Sequence, residues 1–308
     1  MRTVFMGNPS FAIPTLKAII QSEHELIAVV SNPPKRIGRG RSLSHTPVGK
    51  FSQDNKIPLI ESQDLRSDEL KNELHILRPD VFIVVAFKIL PNPIIDIPKY
   101  GSLNLHASLL PKYRGAGPIQ WALMNGDKKT GVTIFQIKPK VDTGDILMQK
   151  EVDILNDDNM LSLGNRLCEY GAHMMIEVLN NIEAEGKVNG IRQDPKLATP
   201  APKIRKNMTE IDWKWTSRKI HNWVRGLTPF PGMSTNYKGK RLRIFDTSIQ
   251  PGANLSPGTI IEAGGDRLII ATVDGALRIH ELQIEGKKRM NADDFLRGNK
   301  MQSGDLLG

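Results

Sequence analysis

The chain has 308 residues, with 42 Lys and Arg against 33 Asp and Glu, a formal charge of +9 at pH 7. That length suits one large or two ordinary domains, and 39% apolar with 24% charged residues excludes global disorder. A single cysteine, Cys168, excludes an intramolecular disulfide and a cysteine-based zinc site. The longest strongly apolar run, Val81 to Phe87, is seven residues, far below the roughly 20 that span a bilayer. The start turns at Gly7-Asn8-Pro9, too early for a signal-peptide core. A cytoplasmic enzyme or binding protein with no membrane attachment is therefore expected.

Strand and helix signals alternate from the start. Thr3 to Met6 reads as a strand, followed by a helix capped by Ser10 and running through Leu16, Ile19 and Ile20. Glu25 to Val30 is a second strand and Pro58-Leu59-Ile60 a short third, before a helix over Ser67 to Leu77. Val81 to Val85 is so uniformly apolar that both its faces must be covered, as in a parallel sheet between helix layers. Gly101 to His106 adds a strand, and Pro118 to Met124 a helix. Such alternation predicts an α/β, Rossmann-like doubly wound sheet, with its site beyond the carboxyl ends of the strands, where the polar residues after Val85, Leu105 and Ile137 fall. A helix over about Asn159 to Glu185 precedes Pro195, Pro200 and Pro202, a linker signal. Beyond it, after a helix over Ser217 to Arg225, come short strand-like runs at Arg241–Phe245, Thr259–Glu262, Arg267–Thr272 and Leu277–Ile284, which predict a small β-barrel. The expected division is a domain over 1–188, a linker over 189–205 and a second domain over 206–308.

The charge is uneven. Residues 1–202 hold 24 basic and 22 acidic side chains, a net of +2, and residues 203–308 hold 18 and 11, a net of +7. Either the second domain has a basic but idle surface, or it meets a polyanion such as nucleic acid.

The densest chemistry lies at Asn104-Leu105-His106-Ala107-Ser108-Leu109-Leu110-Pro111-Lys112-Tyr113-Arg114-Gly115, followed later by Val141-Asp142-Thr143-Gly144-Asp145. In a strand, positions 104 and 106 face the same side, so an amide and an imidazole are presented together. Asp142, on a later loop, can join them, and such a trio can stabilise an oxyanion and move a proton. A strand-end histidine that merely completes hydrogen bonds is the competing reading. A metal site is less favoured, because His106 has no second histidine at ligand spacing.

These motifs resemble the folate-dependent formyltransferase superfamily, and the whole chain is similar to its methionyl-tRNA formyltransferase family. The likeness runs from Val4-Phe5-Met6-Gly7-Asn8-Pro9 through Gly38-Arg39-Gly40 and Thr46-Pro47-Val48 to Ile211-Asp212-Trp213. It continues through Arg225-Gly226-Leu227-Thr228-Pro229-Phe230-Pro231-Gly232, Pro257-Gly258-Thr259-Ile260 and Gly286-Lys287-Lys288-Arg289-Met290. The resemblance implies transfer of the formyl group of 10-formyltetrahydrofolate to the α-amino group of methionyl initiator tRNA, with no covalent enzyme intermediate and no metal. It implies that Asn104 and His106 support the developing oxyanion, that His106 moves a proton, and that Asp142 orients His106. Ser108, Leu109, Leu110 and Pro111, with Val85, Ala86 and Phe87, are the implied donor-binding residues. Where the family commonly has Tyr-Gly this chain has Phe87-Lys88, and Lys88 is left without a role.

On the same basis the loop bearing Lys35, Arg36, Arg39 and Arg41 enters the acceptor end of the tRNA, with Arg39 its key residue. The second domain becomes a barrel of the OB type whose Lys240, Arg241, Lys287 and Lys288, with Lys238, Arg243 and Arg289, contact the tRNA backbone. Trp213 and Trp215 alternate as in a strand and read as core or domain-interface residues. A monomer is expected. A formyltransferase acting on a small amine and a formyltetrahydrofolate hydrolase share this chemistry, and a non-catalytic RNA-binding protein shares the charge. The basic loop with the +7 tail, and the intact Asn104, His106 and Asp142, weigh against them. Gly7-Asn8-Pro9 is not the Gly-x-Gly-x-x-Gly turn of a dinucleotide-binding dehydrogenase.

Overall fold

The computed structural model describes residues 1–37, 42–252 and 254–308. The chain divides into two compact units. The first comprises Met1–Pro118, Thr130–Asp153 and Gly164–Pro202, and the second Ile119–Lys129, Ile154–Leu163 and Lys203–Gly308. In chain order the elements through the first sheet are β1 (Arg2–Gly7), α1 (Ile13–Ile20), β2 (Glu25–Ser31), β3 (Lys35–Ile37), β4 (Ser42–Ser44), α2 (Pro47–Asp54), β5 (Leu59–Glu61), α3 (Asp68–Ile76) and β6 (Val81–Val85). They continue with α4 (Asn92–Ile95), β7 (Ser102–His106), α5 (Pro118–Asn125), β8 (Lys129–Gln136), β9 (Ile146–Asp153) and α6 (Met160–Glu185).

The first sheet has seven strands in the order β5-β2-β1-β6-β7-β8-β9. Its pairs from β5 to β7 are parallel, as the doubly wound pattern predicts. All five β6 residues are buried, with Phe82 and Val84 packed among Leu70 and Leu74 of α3. Strand β8, by contrast, pairs antiparallel with β7, Leu103 facing Gln136 and His106 facing Thr133. The exit from β8 therefore lies beside Ser102, whose carbonyl accepts from Ile137 N–H at 2.7 Å. This corrects the placing of Ile137 at the same strand edge as Val85 and Leu105.

Two local departures have clear causes. Ser10 is no helix cap: residues 10–12 form one 3-10 turn, and α1 starts at Ile13, where Pro14 supplies a preset φ and no orphan N–H. In α3 the cap is Ser67, whose hydroxyl accepts from Leu70 N–H at 3.3 Å. Residues 189–202, a linker by composition, lie along the first unit. Ile191 and Ile146 exchange backbone hydrogen bonds of 2.8 Å, and Ala201 N–H donates to Arg114 O at 2.7 Å.

The second unit continues with α7 (Ser217–Leu227), β10 (Met233–Tyr237), β11 (Lys240–Gln250), β12 (Ile260–Gly264), β13 (Arg267–Ala271), β14 (Ala276–Ile284), β15 (Met290–Asn291) and α8 (Ala292–Gly298). Its antiparallel sheet runs β10-β11-β14-β13-β12, with β15 beside β14. Ile220, Val224 and Leu227 of α7 join Leu242, Leu268 and Phe295 in its core. Trp213 and Trp215 sit in a turn rather than a strand, since Trp215 N–H bonds back to Asp212 O at 2.9 Å. Trp213 is buried, its indole N–H donating to Thr235 Oγ1 at 3.1 Å, and Trp215 packs on Trp223 with ring centroids 5.0 Å apart.

In α7, His221 meets Thr247 Oγ1 at 3.0 Å through Nδ1. Burial, and then the charges of Arg225 and Arg218, push its imidazole from 6.5 down to about 4. A histidine whose folded pKa lies below its unfolded value takes up its proton preferentially in the unfolded chain. Stability is therefore full above about pH 6.5 and falls as the pH drops toward 4. Denaturant melts of wild type and His221→Gln should show a larger loss for wild type between about pH 7 and about pH 5. Parallel pH dependence of the two would contradict this.

Candidate active site

Parallel pairing sets Val84 beside Asn104 and Val85 beside Leu105, so the ends of β6 and β7 form one edge. The chain leaves β6 through Ala86, held at φ 48°, a left-handed conformation uncommon for a residue with a Cβ. Asn104 is half-buried, and among the described residues no group hydrogen-bonds its side-chain amide. His106 is 7% exposed and meets Phe135 edge to face at 6.4 Å.

The two nitrogens of His106 have different surroundings. Nε2 lies 2.9 Å from the Tyr113 carbonyl oxygen. A carbonyl can only accept, so Nε2 carries the hydrogen and Nδ1 presents its lone pair when the ring is neutral. Nδ1 lies 3.8 Å from Asp142 Oδ2, close enough for charge interaction and too far for a hydrogen bond. Residues 137–142 carry Asp142 back from the far end of β7 to reach this point. Its Oδ2 accepts from Gly115 N–H at 2.8 Å, and its backbone is left-handed at φ 52°.

The sequence brings Asn104, His106 and Asp142 to mind as a group, but not the main-chain groups that hold them. Tyr113 has φ 60°, which turns its carbonyl toward His106. Gln193 is buried at 6% exposure and donates through Nε2 to Asp142 O at 3.1 Å and Gly144 O at 2.7 Å. Neither has a residue-type signature, although Tyr113 and Gly115 fall inside the conspicuous 104–115 run.

Around the trio, Val85 and Leu110 are buried, while Phe87, Leu109 and Pro111 are partly exposed. Ser108 is fully buried and its hydroxyl donates to Lys112 O at 2.7 Å, so that hydroxyl closes a turn. Lys88 donates to Gln63 O at 2.7 Å. Burial and then the Lys35 charge lower its pKa. With Gln63, Arg66, Ile89 and Pro139 it lines a groove of about 850 Å³.

Of the basic residues, Lys35 and Arg36 are exposed on β3, which pairs with β4 as a short hairpin rather than an open loop. Arg39 and Arg41 lie outside the described residues. In the second unit, β11 and β14 pair Leu242 with Ile284, and Glu285 N–H donates to Arg241 O at 2.9 Å. Lys240, Arg241, Lys287 and Lys288 therefore share one end of the sheet. Arg241 reaches Ser234 Oγ at 3.3 Å, whereas Lys240, Lys287 and Lys288 are exposed. Lys238 pairs with Asp305 at 3.0 Å. Arg289 pairs with Glu281 and stacks over Phe245 at 4.3 Å.

An amide, an imidazole and a carboxylate come together beside the end of β7, and comparison with known proteins shows the class of the chain as a whole. A model described as formyl transferase matches residues 1–179, and one described as formyl transferase, C-terminal domain, matches residues 203–300. The methionyl-tRNA formyltransferase of Geobacter metallireducens is 41% identical over 306 residues, covering 99% of this chain and 98% of that relative. That of Acetivibrio thermocellus is 39% identical over 311 residues, covering 100% of both. Among solved structures, the sugar 3N-formyl transferase WlaRD, in the presence of dTDP and 5-N-formyl-THF, superposes with a TM-score of 0.67 at 23% identity, over 94% of this chain and 99% of that one. Methionyl-tRNA formyltransferase from Clostridium thermocellum gives a TM-score of 0.56 at 16% identity, over 81% and 94%. The chain belongs to the formyl transferase family, among the methionyl-tRNA formyltransferases.

Proposed function

We propose that this transferase moves the formyl group of 10-formyltetrahydrofolate to the α-amino group of methionyl initiator tRNA in the cytoplasm, supplying N-formylmethionyl-tRNA for translation initiation. The observation that carries the reading is the meeting of Asn104, His106 and Asp142 in a chain matched along its length by methionyl-tRNA formyltransferases. Residues 1–188, with the 189–202 segment packed along them, hold the chemistry, and 206–308 grip the tRNA.

The residues present suit such a donor. A flat ring system fits against the apolar edge of Val85, Ala86, Phe87, Leu109, Leu110 and Pro111, with Ser108 supporting the turn beneath. When bound, the donor supplies a formyl group on nitrogen. Asn104, whose amide no described residue engages, donates to the formyl oxygen and stabilises the negative charge that grows there as the amine attacks. His106 Nδ1 takes the proton that the amine sheds and returns it to the donor nitrogen as the bond between that nitrogen and the formyl carbon breaks, releasing tetrahydrofolate. The Tyr113 carbonyl keeps the other ring proton on Nε2, and Asp142 stabilises the imidazolium that results. Asp142 thus acts by charge, while the main chain sets the ring's orientation.

The tRNA would meet Lys35, Arg36, Arg39 and Arg41 in the first unit and Lys240, Arg241, Lys287 and Lys288 in the second. An arginine can clamp a phosphate or stack on a base, which suits Arg39 to the acceptor end. Transfer from 10-formyltetrahydrofolate should be measured to charged initiator tRNA, charged elongator tRNA and free methionine. Only the first should be a good substrate, with KM rising steeply with salt, and Arg39→Ala should raise KM for tRNA while the donor KM holds. Equal rates on all three acceptors would overturn the substrate.

A further inference from the structure

We infer that Gln193 is a positioning residue for the reaction, fixing Asp142 against His106 from the segment that follows α6. The inference rests on the catalytic reading of Asn104, His106 and Asp142 given above. Gln193 is nearly fully buried, and every polar atom of its side chain is engaged. Its Oε1 accepts from Arg114 Nε at 3.2 Å and Nη2 at 2.6 Å. Its Nε2 donates to the carbonyls of Asp142 and Gly144.

One amide therefore clamps two loops that have to meet. The first is the 113–115 turn, which holds His106 Nε2 through Tyr113 and Asp142 Oδ2 through Gly115. The second is the 142–144 turn, which bears the carboxylate. The second needs the clamp because Asp142 is left-handed, a conformation that persists only when the surroundings impose it. Gln193 itself is held in place from both sides. Ile191 pairs with Ile146, Arg114 N–H donates to Thr199 O at 2.9 Å, and Ala201 N–H donates to Arg114 O. The segment of residues 191–201 is thus a strap whose buried polar side chain, Gln193, sets the separation of Asp142 from His106 Nδ1, while Thr199 Oγ1 accepts from Tyr113 N–H at 2.9 Å.

Chemistry separates the two halves of this contact. Gln193→Glu keeps the volume and strengthens the pairing with Arg114, but its carboxylate cannot donate to the two carbonyls. Gln193→Leu removes both halves. If the clamp on the carbonyls matters, Gln193→Glu and Gln193→Leu both lose kcat, by up to about 10²-fold, with KM for donor and tRNA within about twofold of wild type. The free enzyme labelled with ¹⁵N-histidine gives a second readout. The Nδ1 resonance of His106 should shift in both variants, while the Nε2 resonance, held by Tyr113, stays in place. General loosening would move both resonances, and wild-type kcat with an unmoved Nδ1 signal in Gln193→Glu would also overturn the inference. If instead the wild-type enzyme fails to formylate methionyl initiator tRNA, the function reading falls, and the Nδ1 shift still decides whether Gln193 places Asp142.

Discussion

Asn104→Ala lowers kcat for formyl transfer by about 10²–10³-fold, the loss typical of removing one oxyanion donor, and leaves the protein folded. Asn104 is the middle residue of β7, with Leu103 and Leu105 beside it buried, yet among the described residues no group hydrogen-bonds its side-chain amide. Removing it therefore leaves no partner stranded, so the usual destabilisation from an orphaned polar group does not arise. What it does remove is a donor fixed by the register of β7 against β6 and β8, which needs no reorganisation when charge develops on the formyl oxygen. His106→Ala should fall at least as far, since proton removal from the amine is lost with the ring. Single-turnover rates and thermal melts on both variants check this, and a variant with near-wild-type turnover would sink the assignment of its residue.

Gly144→Ala should damage stability and activity together. A Cβ at Gly144 would lie 1.5 Å from Gln136 O and 2.7 Å from its carbonyl carbon. Gln136 is the last residue of β8, paired with Leu103 and donating its N–H to Asp145 O at 3.0 Å. No flexible side chain can yield, so the main chain around 144 has to move. That motion breaks the 2.7 Å bond from Gln193 to Gly144 O and carries Asp142 with it. Overpacking of this kind typically costs about 1–3 kcal/mol, and an ångström of misplacement at the site costs up to about 10²-fold in rate. Gly264→Ala is the control, because open space surrounds that position and its backbone is not left-handed. A lowered melting temperature and kcat for Gly144→Ala, with Gly264→Ala unchanged, is the expected pair of results. Wild-type behaviour of both would refute the argument.

The legible parts of the fold were those where burial writes itself into residue type. Val81 to Val85 announced a strand covered on both faces, and Ser67 announced the start of α3. Asn104 and His106 were legible as a pair through the two-residue repeat of a strand. Strand β10, Met233–Tyr237, was not, because its polar residues are buried by partners far away in sequence, as when Thr235 takes the Trp213 indole N–H. Strand β9 is largely exposed and has no alternation of burial to detect. The antiparallel turn of β8 was hidden too, since apolar content does not encode strand direction. At the site, Asp142 was legible as a loop carboxylate able to reach the pair, but the main-chain contacts that hold it there were not. Gln193 lies 51 residues further on, in a stretch whose prolines suggested only a connector.

The proton arrangement of His106 is set by a main-chain oxygen, and this has a hereditary consequence. No codon change at position 113 can delete that oxygen. Substitution there reaches that oxygen only through the backbone, so asparagine, aspartate or glycine, which tolerate a left-handed conformation, would keep a carbonyl facing Nε2. A mutational scan scored on activity would therefore rank residues at 113 by their tolerance of a left-handed backbone, with β-branched residues the worst.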